Sequence, residues 1–246
     1  MTAIDIEQTG QKAAPDVLTV DGLHAWYGES HVLHGMSFSL HPGEVVALLG
    51  RNGSGRTTTL RAVMGLTDRT EGEIRIGGRN AARMPPHLIA RMGVGYCPEE
   101  RAIFASLSCE ENLLLPPRQT SGGMPIEEIY TLLPNLAERR HTPGTRLSGG
   151  EQQMLAIARI LRTGARLLLL DEISEGLAPV IVDRLFDLVV ELKSRGYTIL
   201  LVEQNKYFAA PLADRFLVVE RGAIVMRLSA TELEAQADLV DRTLGV

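Results

Sequence analysis

The stretch EVVALLGRNGSGRTT, residues 44–58, joins a strand-like run to a glycine-rich loop. Residues 44–49 are almost continuously apolar, which is typical of a strand buried on both faces of a parallel sheet. The next residues match the phosphate-loop pattern G-x-x-x-x-G-K-[ST] at every fixed position except the lysine, which is Arg56 here. A helix is predicted from about residue 57 to 64. This strand, loop and helix predict an α/β fold with a ligand at the loop.

Phosphate binding is the predicted role of this loop. Its glycines let backbone N–H groups curl around phosphate oxygens, and the helix N-terminus adds its positive dipole. Thr57 is placed to ligate Mg²⁺, and Thr58 to contact the α-phosphate region. A glycine-rich turn without a ligand is the alternative interpretation. The predicted nucleotide-binding residues of the loop are Gly50, Arg51, Asn52, Gly53, Ser54, Gly55, Arg56, Thr57 and Thr58.

Arg56 is the most informative departure from the pattern. Lysine places a compact ammonium between the β- and γ-phosphates, whereas arginine brings a longer, planar fork. We therefore expect the charge to favour bound phosphate but the γ-phosphate to be placed less well. Only three of the 25 basic residues are lysine, which is consistent with a general drift toward arginine; they are Lys12, Lys193 and Lys206.

A pair of carboxylates ends the apolar run LLLL at residues 167–170. Open α/β sheets bind ligands at the C-terminal ends of their strands, which is where this pair falls. Asp171 can hold Mg²⁺ through its water shell, and Glu172 can accept a proton from attacking water. The alternative is a strand that simply runs into a charged turn.

The segment LSGGEQQ, residues 147–153, predicts the start of a helix. Ser148 and Glu151 have the spacing of a capping box, and helix initiation alone is the alternative interpretation. A capping box does not require two glycines, however. Gly149 and Gly150 would let a phosphate approach the exposed N–H groups of the helix start.

The remaining pattern alternates strands and helices, which implies a mainly parallel sheet covered on both faces. A capping box of Ser108 and Glu111 opens one of several short helices, and we assign residues 100–162 to an inserted helical subdomain. A polar N-terminal extension is predicted for residues 1–16. Further strands are predicted at 17–26, 32–40, 72–76, 94–96, 166–170, 197–202, 216–220 and 223–226, and helices at 108–114, 126–133, 148–162, from Pro179 to Gly196, and 231–244.

Composition bounds the class of protein. Hydrophobic residues make up 45% of the 246, as in a folded globular chain, and the net charge of −5 argues against a nucleic-acid binder. No stretch approaches the roughly 20 apolar residues of a membrane span, so a cytoplasmic protein is expected. Cys97 and Cys109 lack metal-ligand spacing and are expected to be reduced thiols.

With LSGGEQQ between the phosphate loop and the acidic strand end, residues 17–246 resemble an ABC ATPase. The resemblance implies a RecA-like core with an antiparallel β-subdomain and a helical subdomain. It implies ATP and Mg²⁺ as ligands. It also implies a head-to-tail pair with a second ABC ATPase subunit, a copy or a paralogue. ATP on one subunit's loop is then covered by Ser148, Gly149 and Gly150 of the other.

The resemblance also assigns single residues. Tyr27 falls at the aromatic position that stacks on adenine, with a buried strand-end tyrosine as the alternative. Glu99 falls at the glutamine that senses Mg²⁺ and the γ-phosphate. Gln204 falls at the switch histidine, and its amide can donate a hydrogen bond but cannot take a proton. Residues 174–177 occupy the loop that touches the opposite subunit.

Several segments are similar to one subgroup, the F-type ATPases of branched-chain amino acid importers. They are residues 50–53, 95–99, 151–159, 174–179 and 201–205. Glu and Gln are usual in that subgroup at positions 99 and 204, whereas Arg56 and Ile173 depart from it. The implied partners are integral-membrane permease subunits, which would hold the chain at the inner face of the cell membrane, and a separate solute-binding protein.

Three functions follow from the sequence. The first is an ATP-hydrolysing subunit that energises uptake of branched-chain amino acids or related small solutes. The second, favoured by Arg56, is a catalytically weak nucleotide-binding partner of an intact paralogous ATPase. The third is a non-transport ABC protein acting on DNA or ribosomes. The absence of a second cassette, of a long coiled-coil insertion and of a basic patch disfavours the third.

Overall fold

A computed structural model describes residues 15–119 and 122–245. The first sheet is four-stranded and antiparallel, in the order β2-β1-β4-β5. Its strands are β1 (Leu18–Tyr27), β2 (Ser30–Leu40), β4 (Arg69–Ile76) and β5 (Arg79–Asn80). The interpretation of residues 1–16 as an extension falls almost wholly outside the described residues.

The second sheet has six strands in the order β10-β9-β3-β8-β7-β6. Strands β6 to β9 and β3 pair in parallel, and β10 pairs antiparallel with β9. Every residue of β3, β7 and β8 is buried, as their apolar runs predict. The strands are β3 (Val45–Gly50), β6 (Val94–Cys97), β7 (Leu167–Asp171), β8 (Thr198–Glu203), β9 (Arg215–Glu220) and β10 (Ala223–Ser229).

Helices connect and cover these strands. They are α1 (Arg56–Val63), α2 (Pro86–Arg91), α3 (Cys109–Leu114), α4 (Ile126–Leu132), α5 (Pro134–Glu138), α6 (Gly149–Thr163), α7 (Pro179–Ser194), α8 (Lys206–Ala209), α9 (Ala230–Ala235) and α10 (Ala237–Leu244), with a 3-10 turn at Gly144–Arg146. Both predicted capping boxes, at Ser108 and Ser148, form with both of their hydrogen bonds. Across the described ranges, no helix has the length and apolar character that crossing a membrane requires.

Alternating residues of β3 enter two hydrophobic cores, one on each face of the six-stranded sheet. Val45, Ala47 and Leu49 pack with α6 and α7, whereas Val46 and Leu48 pack with α1 and the antiparallel sheet. This layering confirms the predicted α/β fold with an antiparallel β-subdomain. Cys97 and Cys109 are free and buried in the first core.

The prediction of one terminal helix at 231–244 is wrong. The segment forms α9 and α10, separated at Gln236, whose backbone leaves the helical region at φ −112° and ψ 22°. Helix α9 packs on β9 and β10, whereas α10 packs on β3. The break at Gln236 lets both helices add buried side chains to the same core, Leu233 from α9 and Val240 and Leu244 from α10.

Candidate functional site

The glycine-rich loop leaves the end of β3 and enters α1. Gly53 and Gly55 have φ of +79° and +107°, a region that glycine adopts without the steric penalty of a β-carbon. Gly50 has no room for a side chain, because a β-carbon would lie 2.5 Å from Ser54 Oγ and 2.6 Å from the Val219 carbonyl oxygen. The backbone path therefore depends on glycine at these three positions.

The turn between β9 and β10 packs against the phosphate loop and is hydrogen-bonded to it. The Gly222 N–H donates to the Ser54 carbonyl oxygen at 2.7 Å. A β-carbon at Gly222 would lie 1.9 Å from the Val32 carbonyl oxygen, so the turn fits against β2 only without a side chain. The shape of the phosphate loop thus depends on residues far away in the sequence.

Two polar groups of the loop bear on whether a phosphate fits there. Ser54 Oγ and Arg56 Nη1 are buried and have no hydrogen-bond partner within residues 15–119 and 122–245. Buried polar atoms are normally paired, and both of these atoms can donate to a phosphate oxygen. They border a cavity of about 310 Å³ that the loop lines together with Glu99 and Glu172. The residues present therefore fit a bound nucleotide phosphate.

Asp171 ends β7 and is fully buried. Thr57 Oγ1 donates to its Oδ1 at 3.1 Å, and the Tyr96 hydroxyl donates to its Oδ2 at 3.2 Å. Burial raises the pKa of Asp171 to about 6, and the hydrogen bonds from Thr57 and Tyr96 oppose that shift. A hydroxyl and a carboxylate side by side are hard oxygen donors that suit Mg²⁺.

The donor set fits magnesium held mainly by phosphate and water. In the part of the chain that the structure describes, no group of three or more His, Cys, Asp or Glu side chains is arranged to hold a metal ion. Mg²⁺ commonly binds proteins through one or two carboxylates plus substrate phosphates, so Thr57 and Asp171 suffice for that mode.

Glu172 follows directly and forms a buried ion pair with Arg56. The Arg56 Nη2 to Glu172 Oε1 distance is 2.7 Å, and only 4% and 6% of the two side chains are exposed. The same Nη2 donates to Asn52 Oδ1 at 3.1 Å. Burial raises the pKa of Glu172 to about 7, and the charge of Arg56 opposes the shift. A carboxylate with this pKa can accept a proton near neutral pH.

The two sensor positions line two different cavities, and Glu172 lines both of them. Glu99 is exposed after β6 and lines the phosphate-loop cavity. Gln204 is half-buried after β8 and lines a neighbouring cavity of about 360 Å³ that also contains Glu172. The fold therefore places each of the two predicted γ-phosphate sensors at a cavity that Glu172 also lines.

Tyr27 stands apart from these groups. It lies half-buried at the end of β1, outside both cavities, with the Arg61 guanidinium 5.6 Å from its ring centroid. Its role in stacking on adenine stays a prediction.

The predicted signature residues start α6. Ser148 Oγ accepts from the Glu151 N–H at 3.3 Å, and Glu151 Oε2 accepts from the Ser148 N–H at 2.7 Å. Ser148 itself is exposed. Among the residues with described coordinates, no hydrogen bond or ion pair joins positions 148–150 to positions 50–58 of the same chain.

Comparison with known proteins decides the family. The ABC transporter family model matches residues 33–175, more than half of the chain. The chain belongs to the ABC transporter family. It is 38% identical over 232 residues to the high-affinity branched-chain amino acid transport ATP-binding protein BraG of Pseudomonas aeruginosa, covering 93% of this chain and all of that protein.

This chain is also similar to a protein whose name gives a different transported substance. The lipopolysaccharide export system ATP-binding protein LptB of Haemophilus influenzae is 33% identical over 219 residues, or 85% of this chain and 89% of that protein. A solved ATP-binding subunit of an ABC transporter superposes with a TM-score of 0.78 at 27% identity, over 94% of this chain and 100% of that chain. The expected ABC ATPase fold is confirmed, and the chain is an ABC ATP-binding subunit.

Two residues of this ABC ATP-binding subunit contact the site without having been predicted. Tyr96 donates to Asp171, as described above. Glu203 is buried at the end of β8 and accepts from both the Ser174 N–H at 3.1 Å and the Ser174 hydroxyl at 2.8 Å. Burial raises the pKa of Glu203 to about 8. Its signal in the sequence is a carboxylate ending an apolar strand, as at Asp171.

Proposed function

We propose that this chain hydrolyses ATP to energise an ABC importer of branched-chain amino acids or related small solutes. The observation that carries the proposal is the convergence of Arg56, Thr57 and Glu172 on one cavity of about 310 Å³, with the buried Asp171 accepting a hydrogen bond from Thr57. Phosphoryl transfer to water requires a cation, oxygen atoms that ligate a metal, and a base. Here these are the Arg56 guanidinium, the oxygens of Thr57 and Asp171, and the Glu172 carboxylate, whose pKa is raised. The full-length similarity to the amino acid transport protein of Pseudomonas aeruginosa supports this class of solute.

The residues take separate roles in hydrolysis. Glu172 accepts the proton of the attacking water, and Arg56 with the loop N–H groups stabilises negative charge on the phosphate oxygens. Gln204 and Glu99 orient groups at the γ-phosphate end, and Tyr27 stacks on adenine. Thr57 and Asp171 would hold Mg²⁺, which would supply positive charge to the phosphate oxygens.

The active assembly is a dimer. No described hydrogen bond or ion pair joins the N-terminus of α6 to the chain's own phosphate loop, which agrees with the proposal that Ser148, Gly149 and Gly150 cover the nucleotide of a second ATPase subunit. Permease subunits hold this pair at the inner face of the membrane, and a separate solute-binding protein supplies the solute. No nucleic acid takes part.

The catalytically weak partner is the second candidate, and the Arg56–Glu172 ion pair favours it. A guanidinium 2.7 Å from the base competes for the carboxylate lone pair that would accept the proton. In that case this chain binds ATP and gives its signature residues to a paralogue that retains lysine.

Transport restored in cells tests the importer proposal. In a strain that lacks the ATPase subunit of its branched-chain amino acid importer, the wild-type chain should restore leucine uptake and Glu172→Gln should not. Uptake restored equally by Glu172→Gln would favour the catalytically weak partner. A chain that binds the permease yet restores no uptake would contradict the importer proposal.

Mixed subunits test the shared site. Adding this chain to a candidate paralogue should raise ATPase activity above the sum of the two alone. Ser148→Arg in this chain should remove that gain, because a bulky cation replaces the cap that the partner's γ-phosphate meets. Activity that is merely additive, and unaffected by Ser148→Arg, would show that the site is not shared.

A further inference from the structure

The backbone of Glu172 has a conformation that non-glycine residues adopt rarely. Its φ is +48°, in the left-handed region that β-carbon sterics disfavour. A residue stays in this region only where the surrounding structure holds it there, and such residues are frequent at active sites. Glu172 carries the carboxylate that we assign as the proton acceptor, so the groups that hold its backbone bear directly on catalysis.

The first of these groups is the carbonyl of Val202 in β8. The Glu172 N–H donates to it at 2.9 Å, directly after the last paired residues of β7 and β8. The Glu175 N–H donates to the Glu172 carbonyl at 3.3 Å, which closes a turn over residues 172–175. The turn therefore starts at a fixed point of the sheet, and its middle needs a contact of its own.

Glu203, the next residue of β8, holds the middle of this turn. Its Oε1 accepts from the Ser174 N–H at 3.1 Å, and its Oε2 accepts from the Ser174 hydroxyl at 2.8 Å. Only 1% of Glu203 and 7% of Ser174 are exposed, so water hardly competes for these two hydrogen bonds. Two consecutive residues of β8 thus fix the turn on either side of Ile173.

A carboxyl is a costly side chain to bury at the end of β8. The rest of the strand is Thr198 followed by four apolar residues, and an apolar side chain at position 203 would extend the core without a desolvation penalty. Glu203 instead lines the cavity of about 360 Å³ that also contains Glu172. Its place at this cavity and its hydrogen bonds to Ser174 indicate a role in the geometry of Glu172.

We propose that Glu203 is a positioning residue that acts through Ser174 to hold the left-handed backbone of Glu172, and with it the direction of the Glu172 carboxylate. The inference rests on the proposed function, because it needs Glu172 to be the proton acceptor. The carboxylate is directed into the site, where its Oε1 lies 2.7 Å from Arg56 Nη2. A displacement of about 1 Å at such a group can lower a rate roughly 100-fold.

Glu203→Leu removes both hydrogen bonds and has a similar volume. The measurement uses the ATP-dependent dimer, and a paralogous partner carries a substitution of its own catalytic glutamate so that only this chain's site works. The variant should lower kcat about tenfold or more. ATP affinity in calorimetry should stay within about twofold, with one site per chain, because within the described ranges no hydrogen bond or ion pair joins Glu203 to residues 50–58.

Glu203→Gln is the conservative variant that should restore activity. Burial raises the pKa of Glu203 to about 8, so its side chain is mostly neutral at pH 7. An amide can accept from the Ser174 N–H and donate to the Ser174 hydroxyl, so both contacts can form again. This variant should keep about half of the wild-type kcat or more.

The Glu172→Gln background distinguishes positioning from a loss of structure. Without the proton-accepting carboxylate there is nothing to direct, so adding Glu203→Leu should leave the residual turnover unchanged within about twofold. A general structural defect would instead lower the residual turnover by the same factor as in the wild-type background.

Thr198→Val is the matched control at the opposite end of β8. Thr198 is 3% exposed, and its hydroxyl accepts from the Gly43 N–H at 2.9 Å and donates to the His41 carbonyl at 3.4 Å. The variant therefore also loses two buried hydrogen bonds from this strand. It should lower Tm but leave kcat within about twofold of the wild type.

Ser174→Ala tests the same contact from the other side and serves if Glu203→Leu does not fold. It removes only the hydroxyl bond, so kcat should fall about threefold. An unchanged kcat in Glu203→Leu, an equal loss in Glu203→Gln or Thr198→Val, or the same loss in the Glu172→Gln background would overturn the role of Glu203. A wild-type chain that hydrolyses no ATP would be a different result, because it would refute the proposed function on which this role rests.

Discussion

Helices α1 and α6 start in opposite ways, although both are predicted to meet a nucleotide phosphate. Gly55 at the start of α1 offers no side-chain cap, and two buried polar groups beside it lack partners among the described residues. The start of α6 is closed by the reciprocal hydrogen bonds of Ser148 and Glu151.

The difference indicates that the start of α1 binds the nucleotide, whereas the start of α6 covers a nucleotide that is bound elsewhere. At α1 a ligand can accept hydrogen bonds from the unpaired buried donors and can contact the buried Arg56–Glu172 pair. We therefore expect α1 to supply most of the binding free energy and the catalytic groups. At α6 the helix is complete without a ligand, and its exposed serine can meet a phosphate that another subunit holds. Two variants and one pH series test whether the groups beside α1 bind ATP and carry out its hydrolysis.

Glu172→Gln should have the largest effect. Turnover should fall about 100-fold or more, because the amide keeps the shape of the side chain but cannot take the proton. ATP affinity measured by calorimetry should stay within about threefold of the wild type, since the loop donors are unchanged. Glu191→Gln, at a half-buried carboxylate of α7 that pairs with Arg195, is the control and should turn over normally. Unchanged turnover in Glu172→Gln would assign the proton transfer to another group.

The pH dependence of kcat/KM should report Glu172 next. Burial favours the neutral acid and raises its pKa to about 7, so the carboxylate that catalysis needs is present above that value. Activity should therefore rise through pH 7 and fall about tenfold for each unit below it. A midpoint near pH 5 would show that Arg56 outweighs burial, and the residual activity of Glu172→Gln should show no such step.

Arg56→Lys should have the smallest effect. A lysine ammonium fits between the β- and γ-phosphates better than the planar fork, so ATP should bind about three- to tenfold more tightly, or roughly 0.7–1.4 kcal/mol. Titration calorimetry on the wild type and the variant measures this, with Arg91→Lys on exposed α2 as the control. Equal affinities, or no binding by either protein, would contradict the expectation.

Local spacing was enough to predict the features that depend on neighbours in the sequence. The boxes at Ser108 and Ser148 form because both partners lie three positions apart, and β3, β7 and β8 follow from unbroken apolar runs. Ser229 and Glu232 form a third box with the same spacing, which places the start of α9 at Ala230 rather than at residue 231.

Contacts between distant segments could not be predicted in this way. Arg56 and Glu172 are more than a hundred positions apart. They meet because β3 and β7 lie on either side of β8, so the C-terminal ends of the two strands are close together. The hydroxyl of Tyr96 reaches Asp171 for the same reason.

The turn at Gly222 has a consequence for how variation in this chain should be interpreted. Its N–H holds the Ser54 carbonyl, and its missing side chain makes room for the Val32 carbonyl. In a selection for growth that requires the activity of this protein, replacements of Gly222 would be lost together with those in the phosphate loop, although Gly222 lines neither of the two cavities. Intolerance to mutation at Gly222 would then identify a residue that holds the phosphate loop in shape, and not a residue that contacts the ligand.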